Sequence, residues 1–456
     1  MAEIVLSSKA LAVNPLKVSQ PIGASLAFLG LARCMPLEHG ARGCTSFNKL
    51  FFMRHFREPI PLQTTAMDMV TTVIGADDNV VEALRTIAER NRPDIIGLIT
   101  TGLSETQGAD IPRTIKEFRA AYPHFGDMAV VPVNATDTLG CLETGFARAV
   151  ESIIETLVPA GAASNVKSRQ VNILASSMLG TGDIEAIKEW VEAFDLHPVL
   201  LPDIADSLDG HMIEAGFSTL TYGGVSRSTI ATMGESLATL VIGPSLNRAA
   251  DLLKKRTGVP VYRFGGAMGL QECDAFTQAL SKISGRPVPQ KIERHRDQLL
   301  DAMIDSQFYL AQTPVAVAAD PDLLGTLCLF LNGMGAEVKV AVASSNAPQL
   351  SGLPVDKVLI GDLEDLEISS RQSGVELVIA NSHGTEIARR LGVPLLRAGF
   401  PQYDIVGGYA RTWVGYRGGR QVLFDLANLM AGHWQEIRPY RSLYWQDTPR
   451  AAEVMQ

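Results

Sequence analysis

The pattern of hydrophobic and polar positions predicts short β-strands that alternate with amphipathic α-helices along most of the chain. In a first set, helices are predicted at residues 79–90, 111–121 and 141–157, strands at 95–99 and 128–133, and a Gly/Ser/Thr-rich loop at 100–108. Short β-branched apolar runs between helices of this length are typical of parallel α/β units.

A small, uncharged segment at residues 159–165 predicts a linker, and two further sets of the same kind follow it. The second set has predicted strands at residues 171–175, 198–201, 237–242 and 259–263, with helices at 183–194, 245–255 and 270–283. The third begins with a long helix at residues 291–309, which suits a connector between domains. Its predicted strands are residues 315–319, 337–343, 358–360, 377–380 and 394–396, and its helices are residues 321–334, 363–371, 385–391 and 422–434.

We therefore predict the α/β fold class, with three Rossmann-like, doubly wound domains of mainly parallel sheet. The predicted domains are residues 1–160, which carry Cys44, residues 165–290, and residues 291–456 with the connector helix and the C-terminal tail. The tail contains Tyr440, Tyr444 and Trp445, and we expect it to dock on the body of the protein or on a partner.

Length and composition fit this division. A chain of 456 residues corresponds to about three domains at roughly 150 residues each. Its net charge is −9, from 49 acidic and 40 basic residues, so it lacks the basic surface that nucleic-acid phosphates require. Its longest apolar runs are too short and too polar to cross a bilayer, and an acid stands near the N-terminus where a secretion signal carries positive charge. We expect a cytoplasmic protein without membrane or nucleic-acid partners.

The five cysteines are scattered along the chain without a C-x-x-C pair. This spacing argues against a disulfide framework and against a zinc site formed by this chain alone, so any metal site would need ligands from another chain. Cys34, Cys273 and Cys328 stand in apolar contexts and are expected in the core. Nucleotide and hydrolase signatures are also missing, because the sequence has no Gly-Lys dipeptide, no G-x-G-x-x-G, no G-x-S-x-G and no H-E-x-x-H.

The most informative chemistry lies in residues 35–48. Cys44 follows Gly40 and Gly43, which let the backbone approach a bound group, and Arg42 and a predicted helix N-terminus lie beside the thiol. These features predict an easily ionised thiol suited to metal ligation or reactivity. The alternatives are a small cysteine buried in a tight turn, and a nucleophilic pair with His39 or His55, although lone histidines among apolar neighbours are usually packing residues.

Longer motifs resemble the nitrogenase component 1 family over essentially the whole chain. They are Val13-Asn-Pro-Leu-Lys17, Gly40-Ala-Arg-Gly-Cys44, Arg54-His-Phe-Arg-Glu-Pro59, Pro61-Leu-Gln-Thr-Thr-Ala-Met67, Thr100-Thr-Gly-Leu-Ser-Glu-Thr-Gln-Gly108 and Pro394-Leu-Leu-Arg-Ala-Gly-Phe-Pro-Gln-Tyr403. In the catalytic β subunit of that family, three cysteines help to hold an eight-iron cluster at the interface with the α subunit. By resemblance, Cys44 occupies the first of those positions, while Leu62 and Gly102 occupy the other two.

This loss of two ligands implies a smaller, shared cluster. One thiolate from Cys44 and three from a partner, NifE, would complete a [4Fe–4S] cluster. The resemblance thus implies Cys44 as the metal-ligating and cofactor-binding residue. Gly43, Gly102 and Cys141, which stands where the β subunit has a serine, are expected beside the cluster without ligating it.

The same resemblance implies an α2β2-like heterotetramer with NifE that acts as a scaffold, without catalytic activity of this chain's own. A precursor of the iron-molybdenum cofactor, delivered by NifB and held mainly by NifE, would receive molybdenum and homocitrate there with help from the nitrogenase Fe protein, which brings the ATP site. The runner-up is a catalytic β subunit of a nitrogenase-type reductase, against which Leu62 and Gly102 argue. A nucleotide-sugar transferase that binds a diphosphate near residues 397–408 is a third reading.

Overall fold

The computed structural model describes residues 1–9, 16–161, 168–212 and 218–433. Within these ranges the strands are β1 (Glu3–Leu6), β2 (Cys34–His39), β3 (Gln63–Thr64), β4 (Ile95–Thr100), β5 (Ala129–Val133), β6 (Gln170–Ala175), β7 (His197–Leu201), β8 (Ala238–Ile242), β9 (Val261–Phe264), β10 (Pro314–Ala319), β11 (Glu337–Ala343), β12 (Lys357–Ile360), β13 (Leu377–Ala380) and β14 (Leu395–Arg397).

The α-helices of the same ranges are α1 (Gln20–Leu29), α2 (Arg42–Phe56), α3 (Met69–Ile74), α4 (Asp77–Asn91), α5 (Gly102–Gln107), α6 (Ile111–Ala121), α7 (Leu142–Leu157), α8 (Thr181–Glu192), α9 (Ile204–Ser207), α10 (Arg227–Ala231), α11 (Asn247–Thr257), α12 (Leu270–Ser284), α13 (Gln290–Leu310), α14 (Pro321–Gly333), α15 (Leu363–Ser373), α16 (Thr385–Leu391) and α17 (Gly415–His433). The predicted loop at residues 100–108 contains the short helix α5, and α17 begins earlier than predicted.

Three parallel sheets organise these elements. Their strand orders are β3-β2-β4-β5, β7-β6-β8-β9 and β1-β12-β11-β10-β13-β14. Every strand pair described in them is parallel. The predicted α/β class with mainly parallel sheets is therefore confirmed.

The first 30 residues contain two elements that the pattern did not predict. Strand β1 lies in the third sheet, where Glu3–Leu6 pairs with Lys357–Ile360. All ten residues of α1 are buried, so this helix has no polar face and shows no amphipathic period. The domain division near residues 160 and 290 stays a prediction. Residues 162–165 of the predicted linker and the tail aromatic residues Tyr440, Tyr444 and Trp445 lie outside the described residues.

One hydrophobic core connects the three sheets. It includes Phe28 of α1, Ile173 of β6 and Leu324 of α14, while two smaller cores cover the other faces of the first and third sheets. Cys34, Cys273 and Cys328 are buried, as predicted. Among the helices of the described ranges, none is both long and apolar enough to cross a membrane.

Candidate functional site

Cys44 lies in the first turn of α2, directly after the strand β2. The helix begins at Arg42, and no side chain caps its N-terminal amides. Cys44 is the exposed member of the five cysteines, and a Cβ added at the neighbouring Gly43 would meet no atom within 4 Å. The predicted helix N-terminus is confirmed, and the alternative of a cysteine buried in a tight turn is wrong.

The buried carboxyl group of Glu38, near the end of β2, holds the first turn of α2 by hydrogen bonds. Glu38 accepts hydrogen bonds from Ser25 Oγ at 3.0 Å, Thr45 Oγ1 at 2.8 Å and Asn48 Nδ2 at 2.9 Å. These bonds tie α1 and the start of α2 to the end of β2. Because the carboxyl group is buried, its pKa is raised, and the hydrogen bonds lower it only in part. The residue after Cys44 is thus held in place while Cys44 itself faces outward.

Gly40 allows a second close contact, with Thr101 at the start of α5. A Cβ at Gly40 would lie 2.8 Å from Thr101 Oγ1 and 2.9 Å from its Cγ2. Thr101 Oγ1 in turn donates to the carbonyl oxygen of His39 at 2.9 Å. The N-termini of α2 and α5 are therefore packed side by side, which explains why a glycine is needed at position 40.

The expectation of an easily ionised thiol is wrong for the chain by itself. Partial burial raises the pKa of Cys44, and the carboxylate of Asp137 and the carboxyl group of Glu38 raise it further. The amides at the start of α2 do not offset these effects. Any ionisation of this thiol has to be driven by what binds to it.

Positions 62 and 102 provide no ligand. Leu62 is 4% exposed and belongs to the core that connects the sheets. The backbone N–H of Gly102 donates to Asp137 Oδ2 at 3.2 Å, and a Cβ at this position would meet the same oxygen at 3.2 Å. Asp137 thus fills the space that a side chain at position 102 would enter.

Neither histidine forms the nucleophilic pair considered for Cys44. The buried His39 shares a hydrogen bond of 2.9 Å between Nδ1 and Thr65 Oγ1, and burial lowers its pKa to about 4. His55 accepts the backbone N–H of Gln402 on Nδ1 at 2.9 Å, and burial lowers its pKa to about 3. The described contacts of both histidines are those of neutral packing residues.

Cys141 is buried at the N-terminus of α7, in contact with the third sheet. Its Sγ accepts a hydrogen bond from Ser345 Oγ at 3.1 Å, and burial raises its pKa, as does the nearby Asp320. The contacts described for Cys141 do not include Cys44. A position of Cys141 beside a cluster stays a prediction.

A buried group of three carboxyl groups lies next to Cys141, and the sequence analysis missed it. Glu143 of α7 accepts the backbone N–H of Asp322 at 2.8 Å. Asp322 also accepts from Ser245 Oγ at 2.6 Å and from Gln349 Nε2 at 2.9 Å, and Asp320 accepts from Ser344. These contacts join all three sheets. In the sequence, the only indication of this group was an acidic residue in the first turn of α7 and another in the first turn of α14. The sequence near each helix does not show that the two carboxyl groups lie next to each other in the folded chain.

Burial raises the pKa of all three carboxyl groups. It raises the pKa of Asp320 and of Asp322 to about 6, and the pKa of Glu143 well above its usual value because the two aspartates add to the effect of burial. Each of the three carboxyl groups therefore binds its proton more tightly than it would in water.

Large apolar side chains are exposed on the elements around Cys44. We call this surface the Cys44 face; it consists of Phe47, Leu50 and Met53 of α2, Met69, Val70, Val73 and Ile74 of α3, and Leu139. Helix α3 is held close to α2 because the backbone N–H of Met67 donates to the carbonyl oxygen of Gly40 at 2.9 Å. Exposed apolar residues in such number are typical of a protein–protein interface.

Within the described ranges, no three His, Cys, Asp or Glu side chains come together as a metal-binding group. Cys44 can therefore offer a single thiolate to a metal centre. This donor set fits a cluster that is completed from another chain, and it does not fit a centre held by this chain alone.

Comparisons with known proteins identify the family to which the chain belongs. The family model of nitrogenase component 1 type oxidoreductases matches residues 19–431. The chain is 46% identical to the nitrogenase iron-molybdenum cofactor biosynthesis protein NifN of Klebsiella pneumoniae, covering 97% of this chain and 96% of that protein. It is 43% identical to NifN of Bradyrhizobium diazoefficiens, covering 98% and 96%.

Solved structures show the same relationship. A chain of nitrogenase Cp1 at pH 6.5 superposes with a TM-score of 0.88 and 33% identity, over 94% of this chain and 95% of that one. A chain of nitrogenase Cp1 at pH 5, with 14% identity and a TM-score of 0.70, shares the fold. The chain therefore belongs to the nitrogenase component 1 type oxidoreductase family, within its NifN branch.

Proposed function

We propose that this chain is a scaffold subunit in the biosynthesis of the nitrogenase iron-molybdenum cofactor, acting in the cytoplasm, and that Cys44 supplies one of four ligands to a [4Fe–4S] cluster shared with NifE. The observation that carries the proposal is the exposed Cys44 thiol at an uncapped helix N-terminus, which belongs to no metal-binding group of three or more His, Cys, Asp or Glu side chains among the described residues. An iron–sulfur cluster held there would supply one-electron transfer. This chain's own contribution is to present the thiol rigidly, through Glu38 and Gly40.

The Cys44 face favours a large interface with a permanent partner chain. Its apolar side chains surround the single ligand, so the same association that covers them brings the missing ligands to Cys44. Obligate interfaces are typically apolar and extensive. A partner from the same family fits this surface, and we propose NifE in an α2β2-like heterotetramer.

The remaining steps of the proposal concern the cofactor precursor. We propose that NifB delivers it, that NifE mainly holds it, and that molybdenum and homocitrate are inserted with help from the nitrogenase Fe protein. The names of the NifN relatives support a role in this pathway. Co-purification with NifE tests the assembly, and a stable, iron-loaded monomer would contradict it.

A catalytic β subunit is the second candidate, favoured by the solved nitrogenase structure of the same fold. Leu62 and Gly102 argue against it, because one is buried in the core and the other faces Asp137. Acetylene reduction by the purified assembly, supplied with Fe protein and ATP, would favour the catalytic reading. We expect none.

The ligand role is tested by substitution. Cys44→Ala should remove the electron paramagnetic resonance signal of the reduced [4Fe–4S] cluster and the corresponding iron, because an open iron site admits water and loses metal. Cys273→Ala and Cys328→Ala are matched controls from the core and should keep the signal. Cys141→Ala should at most change its line shape. An unchanged signal and iron content in Cys44→Ala would refute the assignment, and loss in Cys141→Ala alone would move the ligand there.

A further inference from the structure

Asp137 is an exposed residue in the loop between β5 and α7, and its carboxylate lies over the N-terminus of α5. Asp137 Oδ2 accepts the backbone N–H of Gly102 at 3.2 Å, and a Cβ at Gly102 would lie 3.2 Å from the same oxygen. Thr101, the residue before Gly102, packs against Gly40, which precedes α2. The carboxylate therefore lies near the helix turn that carries Cys44.

Hydrogen bonds on the N-terminal side of Asp137 hold this loop in place. The backbone N–H of Ala135 donates to Thr100 Oγ1 at 2.8 Å, which ties the loop to β4. The backbone N–H of Thr136 donates to Gln20 Oε1 at 3.1 Å, which ties it to α1. The carboxylate is thus presented from a fixed backbone, and its distance from the start of α2 is set by the fold.

The charge of Asp137 acts on Cys44. After partial burial, Asp137 has the largest of the effects that raise the pKa of the Cys44 thiol, and it also raises the pKa of Glu38. Among the contacts of the described residues, the Asp137 carboxylate receives a hydrogen bond from Gly102 and forms no ion pair. Because no cation from this part of the chain neutralises the carboxylate, its negative charge acts on any group bound at Cys44.

A partner chain on the Cys44 face would strengthen this effect. Leu139, two residues after Asp137, belongs to that face and is 60% exposed, so the carboxylate lies at the same surface. When a partner covers the surface and excludes water, the effective dielectric constant falls, and two charges at a given distance interact several times more strongly. A charge at this position is therefore well placed to tune a redox centre in the interface.

We propose that Asp137 lowers the reduction potential of the iron–sulfur cluster bound at Cys44 by placing a negative charge beside it. This inference rests on the proposed function and deepens it, because the chain then tunes the cluster as well as holding it. When an external one-electron donor reduces the cluster, the added electron is repelled by the carboxylate, and the reduced form is destabilised. Asp137 is a positioning residue for charge and forms no bond to iron, since four thiolates already complete the ligand set.

A redox titration of the purified assembly, followed by electron paramagnetic resonance of the reduced cluster, measures this effect. Asp137→Asn removes the charge, while its amide oxygen can still accept the N–H of Gly102. We expect the reduction equilibrium to shift about tenfold toward the reduced form, a midpoint potential about 59 mV more positive, with iron content unchanged. Asp137→Glu keeps the charge and should bring the potential back toward that of wild type. Glu376→Gln, at an exposed glutamate before β13, is the control and should leave the potential unchanged.

Two results would overturn the inference while leaving Cys44 as a ligand. An unchanged potential in Asp137→Asn, together with weaker association, would show that the carboxylate pairs with a cation of the partner. Loss of the cluster in Asp137→Asn would show that Asp137 itself binds iron. Failure of the proposed function would look different, because the cluster signal would then persist in Cys44→Ala.

The cluster-free chain gives a readout that does not depend on iron. Asp137→Asn should increase the rate at which maleimide labels Cys44 at neutral pH, because the negative charge that raises the pKa of the thiol is gone. Glu376→Gln should label at the wild-type rate. Equal rates in wild type and Asp137→Asn would show that the charge does not act on Cys44, and would overturn the inference whichever chain completes the cluster.

Discussion

Glu143, Asp320 and Asp322, the buried carboxyl groups where the three sheets meet, should make the folded chain less stable as pH rises. Glu143 is surrounded by Asp320 and Asp322, and burial and these two neighbours raise its pKa well above the usual value near 4.5. The folded chain therefore binds a proton at Glu143 that the unfolded chain releases. By linkage, this group contributes a loss of stability as pH rises from about 4.5 toward its folded pKa, with a slope of up to about 1.4 kcal/mol per pH unit.

Glu143→Gln removes this dependence while keeping the packing. The amide oxygen of glutamine can still accept the backbone N–H of Asp322, which Glu143 Oε2 accepts at 2.8 Å. The variant should therefore gain stability relative to wild type as pH rises, by up to about 1.4 kcal/mol for each pH unit over which the folded chain keeps the proton on Glu143. Asp320 and Asp322 titrate in both proteins, so most of their contribution cancels in the comparison.

Urea unfolding, followed by circular dichroism between about pH 5 and about pH 8, measures the difference. Glu293→Gln is the matched control, since Glu293 is an exposed glutamate in the first turn of α13, and its profile should parallel that of wild type. Parallel profiles for Glu143→Gln and wild type would show that Glu143 is ionised in the folded chain and would refute the reasoning.

Three further predictions follow from the geometry around Cys44. Gly40→Ala should lower the free energy of unfolding in urea by about 1–3 kcal/mol, because the added Cβ would lie 2.8 Å from Thr101 Oγ1. Gly43→Ala is the control and should change the free energy of unfolding by less, because a Cβ there meets no atom within 4 Å. Equal losses in the two variants would contradict the close approach of Gly40 to Thr101. In the cluster-free chain, maleimide should label Cys44 alone, because the other four cysteines are buried, and a second adduct in mass spectrometry would contradict this. The labelling rate should still rise at pH 9, because the pKa of the Cys44 thiol is raised. Leu62→Cys should add no iron, since this side chain is buried in the core, and a second iron-binding thiol measured by metal analysis would contradict the packing.

The strands and helices with clear periodicity could be predicted from the sequence, because their pattern depends on near neighbours alone. β4, α6 and α12 have one buried face or a continuous apolar run, and each was predicted close to its observed bounds. Helix α1 could not be recognised in this way, because burial on all sides removes the polar face that makes a helix visible. Strand β1 is too short to show a period, and its pairing with β12 joins residues more than 350 positions apart.

For the site, residue types and spacing were enough to place Cys44 at a helix N-terminus, whereas its role as a ligand and the loss of ligands at Leu62 and Gly102 came from the family resemblance, and the ligand role stays a prediction. Its protonation was predicted wrongly, because Asp137 comes from another loop and partial burial depends on the folded surface. The Cys44 face and the meeting of Glu143 with Asp320 and Asp322 likewise depend on contacts between distant segments. The sequence by itself determined which groups are available, through local pattern and chemistry. Only the tertiary structure decided which of them are buried, exposed or adjacent, because burial and electrostatic coupling depend on distances in space.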